Sequence, residues 1–246
     1  MHFEGLAVDM PANETFQTSY ERFGEIFEGL RAARVSEVVF AGGLSRPALN
    51  PANFDAKMMQ LAPRFMAAMQ EGDDALLRAV ITAFEDDGYT VRGAHEVLPD
   101  LTVWAKQQGK HSPSRDGSAD ALRAWQIVQA LGRLDVSQAC VVSKGICLGL
   151  ETVQGTEAML RFVAETRGTL PGLAGGVLLK WSKPDQDLRI DMPTIGPDTV
   201  DQAAAAGLSD ICIEAGGVIV LDREEVMRRA DNAGIAIWAV ADFQSS

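Results

Sequence analysis

The sequence predicts an α/β protein of two domains, and three observations carry that expectation. An apolar, β-rich run at residues 37–41 ends in Gly42-Gly43 and lies between two stretches of helical spacing, 20–34 and 57–69. The last quarter alternates short strand runs with helices that stop at Gly207 and Gly234. Strands and helices in alternation at this spacing pack as layers of sheet and helix. Between these regions, residues 107–118 (QQGKHSPSRDGS) are polar and rich in turn formers, which predicts a linker.

Residues 1–8 read as a short strand or strand end. In the helix over 20–34, Phe23, Ile26, Phe27 and Leu30 share one face. The run 37–41 then feeds a loop with Ser45-Arg46-Pro47, the kind of place where α/β sheets hold ligands. A second helix covers 57–69. A third covers 73–87, with the stripe Leu76, Leu77, Val80, Ile81 and Phe84, and Gly88 stops it. After the polar stretch, Ser118 is expected to cap a helix carrying Leu122, Trp125, Val128 and Leu131 that closes at Gly132. Residues 138–143 and 146–153 form a hairpin about Lys144-Gly145. Thr156 is expected to cap the next helix. A strand at 177–181 precedes a polar segment ending at Asp191. Pro197 opens a helix, 211–214 and 218–221 are short strands, and Asp222 with Glu225 has capping-box spacing. Residues 235–241 are a final buried strand.

Composition excludes several classes. With 246 residues the chain can bury a real core, and 47% hydrophobic with 23% charged residues is ordinary for a globular protein. A net charge of -12 without a basic stripe argues against nucleic acid and against adhesion to an anionic bilayer. No run is long enough to span a membrane. The three cysteines, Cys140, Cys147 and Cys212, have no metal-ligand spacing. The hairpin register sets Cys147 opposite Val142 rather than Cys140, so no bridge between them is expected, and the cysteines read as small buried apolar residues in a reducing cytoplasm. There is no Walker loop, no dinucleotide fingerprint and no nucleophile elbow. Three histidines are too few for a His-rich two-metal centre, so a metal in a phosphohydrolase here would be held by carboxylates and water, which suits Mg²⁺ or another divalent cation.

Four segments could carry chemistry. Ser45 and Arg46 supply a hydroxyl and a guanidinium for a phosphate. Asp73 and Asp74 open a helix, where a plain cap serves the macrodipole equally well. Thr156 and Glu157 lie at a helix start that can receive an anion. The richest segment holds Lys180, Lys183, Gln186, Asp187, Arg189, Asp191 and Thr194. Its cations can neutralise a pyrophosphate while an acid binds metal or orients water. If the segment is extended, Asp187, Arg189 and Asp191 share one face.

The ordered motifs AGGLSRP, GDDALLR, GAHEV, GRLDVSQACVV, ETVQGTEAML and KPDQDLRIDMPTIGPDT, from about Phe40 onward, resemble the LpxI-type UDP-2,3-diacylglucosamine pyrophosphatases. The resemblance implies hydrolysis of UDP-2,3-diacylglucosamine to 2,3-diacylglucosamine 1-phosphate (lipid X) and UMP in lipid A biosynthesis, with Mg²⁺ or a similar cation. It implies an N-terminal Rossmann-like nucleotide domain over residues 1–108 and a C-terminal α/β lipid-binding and catalytic domain over 118–246, with the substrate held between them. The family's essential aspartate corresponds to Asp191, as catalytic residue and metal ligand. Lys180, Gln186 and Thr194 would line its cleft, with Ser45, Asp74 and Asp191 facing one another across it. A homodimer, in the cytoplasm and in transient contact with the inner membrane surface, is implied as well. The family's usual first strand and Gly-rich turn have no counterpart in the opening residues. That predicts a chain that is weak or inactive as it stands and binds lipid X but not UMP, with both binding and hydrolysis restored once such a strand is supplied; a non-catalytic lipid- or nucleotide-binding relative is the alternative expectation.

Overall fold

The computed structural model describes residues 1–3, 15–42, 49–103 and 107–243. Ser45 and Arg46 lie outside these residues. The chain forms two compact units, Met1–Gly93 and Ala94–Ser246.

In the first unit, β1 (His2–Phe3) pairs in parallel with β2 (Gln17–Thr18). Then follow α1 (Phe23–Ala32), β3 (Glu37–Val39), α2 (Ala56–Glu71), α3 (Asp73–Asp86) and β4 (Thr90–Arg92). The apolar spacing of α1 does what its period requires: Phe23, Ile26, Phe27 and Leu30 are all buried. They meet Phe65 of α2 and Phe84 of α3 in an aromatic cluster, with Phe27 and Phe84 centroids 5.2 Å apart, edge to face. Asp55 caps α2 by accepting the Met58 amide at 2.7 Å, and its other oxygen accepts the Gly24 amide at 2.6 Å, tying α1 to α2. Strand β4, parallel to β3, was not legible in the sequence, because three residues with one buried side chain, Val91, show no period.

The second unit contains α4 (Ala94–Val97), β5 (Gln107–Gln108), α5 (Arg115–Gly132), β6 (Ala139–Ser143), β7 (Ile146–Leu150), α6 (Gly155–Thr166), β8 (Val177–Lys180), β9 (Thr194–Ile195), α7 (Pro197–Ala205), β10 (Asp210–Glu214), β11 (Ile219–Val220), α8 (Arg223–Ala233) and β12 (Ala236–Val240). Six strands form a mixed sheet in the order β5-β12-β10-β8-β6-β7. β8, β10 and β12 are parallel; β6 runs against β8 and β7 against β6, so β7 points the same way as β8. β9 and β11 form a separate parallel pair.

Both faces of the sheet are covered, which is why its strands are apolar on both sides. On one face Val141, Leu178, Ile211, Ile213 and Ile237 pack with Leu160 of α6, Val200 of α7 and Val226 of α8. On the other, Cys140, Val142, Leu179, Cys212 and Trp238 pack with Ala121, Ala124 and Val128 of α5. α6 crosses β7 at Gly149, where a Cβ would lie 2.7 Å from Val163 and 2.9 Å from Met159, so glycine sets that approach. Lys144 and Gly145 both have positive φ, as a two-residue hairpin turn requires, and the buried Asp120 carboxylate accepts both their amides at 2.9 and 2.7 Å.

Several local expectations are corrected. Residues 107–118 are not a free linker. Gln107 and Gln108 pair antiparallel with β12, the Lys110 amide donates to Asp231 at 2.7 Å, and Ser114 donates through its amide and hydroxyl to buried Asp210 at 3.0 and 2.8 Å. The carboxylates that fasten this polar run lie about a hundred residues downstream, where a local reading cannot see them. Ser114, not Ser118, caps α5. Thr156 lies inside α6 and uses its hydroxyl elsewhere; Asp222 has a left-handed backbone and makes no side-chain cap on α8, and the Glu225 side chain pairs with Arg228 and Arg229 instead of reaching back. The predicted strand pairing of Val142 with Cys147 is present, yet a bulge between Val141 and Val142 brings the Cys140 and Cys147 sulfurs to 3.6 Å, and Cys147 is exposed rather than buried.

Candidate active site

Because β7, β8 and β10 point the same way, their C-terminal ends lie along one edge of the second unit's sheet. That edge is where α/β sheets hold ligands. Glu151 follows β7, Lys180 ends β8, and Glu214 ends β10.

Lys180 is the centre of this group. Its side chain is only 7% exposed; Nζ donates to Thr156 Oγ at 2.6 Å and lies 3.8 Å from Glu151 Oε1. Thr156 passes its own proton on, donating to Glu151 Oε1 at 2.5 Å, so one hydroxyl links cation and carboxylate. Glu151 Oε2 is buried with no hydrogen-bond partner among the described residues. Burial pushes the Lys180 ammonium below its ordinary value, while the charges of Glu151 and Asp191 act the other way.

Asp191 is half-buried and is held by Gln186, whose Nε2 donates to Asp191 Oδ2 at 2.6 Å while its Oε1 accepts the Lys183 amide at 2.9 Å. Gln186 therefore aims Asp191. The segment between β8 and β9 is turned rather than extended: the amides of Ile190 and Asp191 both donate back to Asp187 O. The proposed common face of Asp187, Arg189 and Asp191 is replaced by a local ion pair, with Arg189 on Asp187 at 2.7 Å. Thr194 Oγ donates to Met192 O at 3.0 Å and starts β9. Glu157, beside Thr156, has an exposed carboxylate 3.5 Å from Arg161. Asp73 and Asp74 stand in the first turn of α3 in the other unit, where Arg78 pairs with Asp74 at 2.7 Å.

Two carboxylates were missed in the sequence. Glu151 falls there inside the predicted strand run 146–153; the strand ends at Leu150, and only the sheet puts Glu151 beside Lys180. Glu214 Oε2 accepts the Ser182 amide at 3.0 Å and its hydroxyl at 2.5 Å. Burial raises its pKa above the ordinary 4.5 in spite of those bonds. The folded state thus holds the Glu214 proton more tightly than the unfolded chain does. The stability this contributes is complete below pH 4.5 and is lost as pH rises through the folded pKa. Glu214→Gln retains an acceptor for Ser182 and removes the titration. Denaturant unfolding across a pH series is expected to show a flatter decline above pH 4.5 than in the wild type; an unchanged slope would mean that Glu214 does not cause it.

Between β7 and α6 a groove of about 430 Å³ is lined by Leu148, Gly149, Leu150, Gly155, Met159 and Phe162 among others. It opens at the same helix start that carries Thr156. Charge neutralisation, an aimed carboxylate and an apolar groove are thus joined within one unit, a combination suited to an amphiphile bearing phosphate.

Comparison with known proteins agrees with this reading. The family model described as the LpxI N-terminal domain matches residues 2–101, and that of the LpxI C-terminal domain matches residues 105–238. A curated relative, the UDP-2,3-diacylglucosamine pyrophosphatase LpxI of Caulobacter vibrioides, is 42% identical over 221 residues, which cover 89% of this chain and 79% of that protein. Two matched domains, and this identity across most of both chains, establish that the chain belongs to the LpxI family.

Proposed function

We propose that this protein hydrolyses the pyrophosphate of UDP-2,3-diacylglucosamine, adding water across the P–O–P bond to give UMP and 2,3-diacylglucosamine 1-phosphate in lipid A biosynthesis. The observation that carries the proposal is family membership across both domains, joined to the Lys180–Thr156–Glu151 and Gln186–Asp191 groups at one sheet edge.

Asp191 is the catalytic residue, and Gln186 fixes its carboxylate. Lys180 faces the phosphate charge that builds as the bond breaks, and Thr156 holds the ammonium in place. Glu151 keeps the lysine's charge compensated until substrate arrives. Thr194 bounds the site on the β9 side, and Glu157 borders the approach from solvent. The apolar groove beside α6 takes acyl chain, while Ser45, Arg46, Asp73 and Asp74 of the first domain take the UDP half.

Asp191 offers a hard carboxylate oxygen, held in place by Gln186. That donor set fits Mg²⁺, which keeps several waters and accepts one or two carboxylates together with substrate phosphates. Bound there, the ion would neutralise phosphate charge and lower the pKa of a coordinated water. The same proposal includes a homodimer in the cytoplasm that visits the membrane surface for its lipid; among the described residues no helix is long and apolar enough to cross a membrane.

The test is release of UMP from UDP-2,3-diacylglucosamine by the full chain, with Mg²⁺ titrated after chelation. UMP and lipid X in equal amounts are expected, with a rate that rises and saturates with Mg²⁺. Binding of lipid X or UMP without any hydrolysis would favour a non-catalytic binding protein. Full activity in excess chelator would remove the metal from the scheme.

A further inference from the structure

We propose that Cys140 and Cys147 form a peroxide-responsive thiol pair, poised across the β6–β7 hairpin to close into an internal disulfide. The two sulfurs are already 3.6 Å apart. Cys140 lies fully buried on β6, facing α5, whereas Cys147 is exposed on β7. A buried partner touching an exposed one is the arrangement a peroxide needs: one sulfur that the oxidant can reach, and one that resolves the product.

The strand register explains how the contact arises. Cys140 pairs with Leu150 and Cys147 with Val142, so the cysteines are diagonal neighbours. Diagonal side chains in a regular ladder stand about 7–8 Å apart at their backbones. The bulge between Val141 and Val142 breaks that regularity between them. A bridge requires the sulfurs to close from 3.6 Å to about 2.0 Å, and the irregular register is where a hairpin can absorb such a shift. Cys212 cannot substitute. It shares the buried face with Cys140, but Leu179 of β8 stands between them, which leaves two strand spacings, about 9.5 Å, to span.

The electrostatics support the division of labour. The Cys147 thiol is lowered by its hydrogen bond with Cys140, with the positive charge of Arg123 adding to this, which favours its thiolate. The Cys140 thiol is raised by the same contact and by burial, and so remains protonated.

The chemistry balances in two steps. The Cys147 sulfur attacks one peroxide oxygen, the O–O bond breaks, and a sulfenic acid forms with release of one water. The Cys140 sulfur then attacks the Cys147 sulfur, the S–O bond breaks, and the Cys140 proton leaves with the hydroxyl as a second water. Two electrons pass from the sulfurs to the peroxide. A thiol reductant reverses the bridge.

The experiment uses the full chain, reduced, freed of reductant and treated with stoichiometric hydrogen peroxide. It is then denatured, alkylated and cut with trypsin. Lys144 lies between the two cysteines, so cleavage there turns an internal bridge into two peptides joined by sulfur. The expected result is loss of two hydrogens from the intact mass, the joined pair of peptides, and one alkylated thiol, Cys212. Dithiothreitol restores three alkylated thiols. Cys147→Ser, an exposed substitution that does not burden folding, is expected to abolish the bridge and leave Cys140 unmodified at the same dose. Wild-type protein that instead carries sulfinic or sulfonic acid on Cys147, with Cys140 still free to alkylate, would overturn the proposal. So would exclusive bridging between two copies of the chain.

Discussion

Asp191→Ala is expected to lower kcat for UMP release about a thousandfold, the scale found when a group that acts on transition-state charge is removed. KM should change little, since an interaction made mainly in the transition state leaves ground-state binding intact. The fold should survive. Asp191 is half-buried, and the hydrogen bond from Gln186 at 2.6 Å is among the contacts the substitution removes. Such a bond contributes about 1 kcal/mol, which for a chain of this size moves Tm by about 2–4 °C. Asp191→Asn separates charge from shape, because the amide oxygen can still accept from Gln186. A loss as deep as that of alanine would show that the negative charge is what matters. A folded Asp191→Ala protein that turns over substrate at the parent rate would remove Asp191 from catalysis altogether.

Lys180→Ala is expected to cost both stability and turnover, and here the two can be separated. The Lys180 and Glu151 side chains are 7% and 9% exposed, so removing the cation strands a buried carboxylate. Breaking a buried pair from one side typically costs about 3–5 kcal/mol, far more than the pair contributes against an apolar replacement. Replacing both partners, as Lys180→Met with Glu151→Gln, is therefore expected to recover most of the stability in denaturant unfolding. It should recover none of the turnover, since the positive charge proposed to face the phosphates is still gone. If Lys180→Ala proves as stable as the wild type, the buried pair does not carry the energy assigned to it. If the double variant regains turnover, Lys180 is structural only. The pH dependence has a definite sign. Burial sets the folded-state pKa of Lys180 below the ordinary 10.5, so its contribution to stability is complete above pH 10.5 and is lost as pH falls through the folded pKa.

How far the sequence reaches depends on the range of the interaction. The face of α1, the positive-φ turn at Lys144-Gly145 and the stop at Gly234 are all set within a few residues, and each was legible. The motif order around Asp191 likewise pointed to the family that the comparisons establish. Local reading failed wherever a polar group had two possible partners. Thr156 and Asp222 have the chemistry of caps, but Thr156 is drawn to Lys180 and Glu151, and Asp222 makes no cap. Residues 107–118 have the composition of a linker, yet Asp210 and Asp231 fasten them to the second unit.

What the sequence determined by itself was therefore the alternation of strand and helix, the family, and the segment that holds Asp191. What the tertiary structure decided was the company those residues keep. The parallel run of β7, β8 and β10 sets Glu151, Lys180 and Glu214 along one edge, and the bulge in β6–β7 brings two cysteines into contact. Periodicity is written in the backbone over a turn or a pleat, so a short window captures it. Polar pairing depends on which strand ends become neighbours, and strand order is settled only when the whole sheet closes its core.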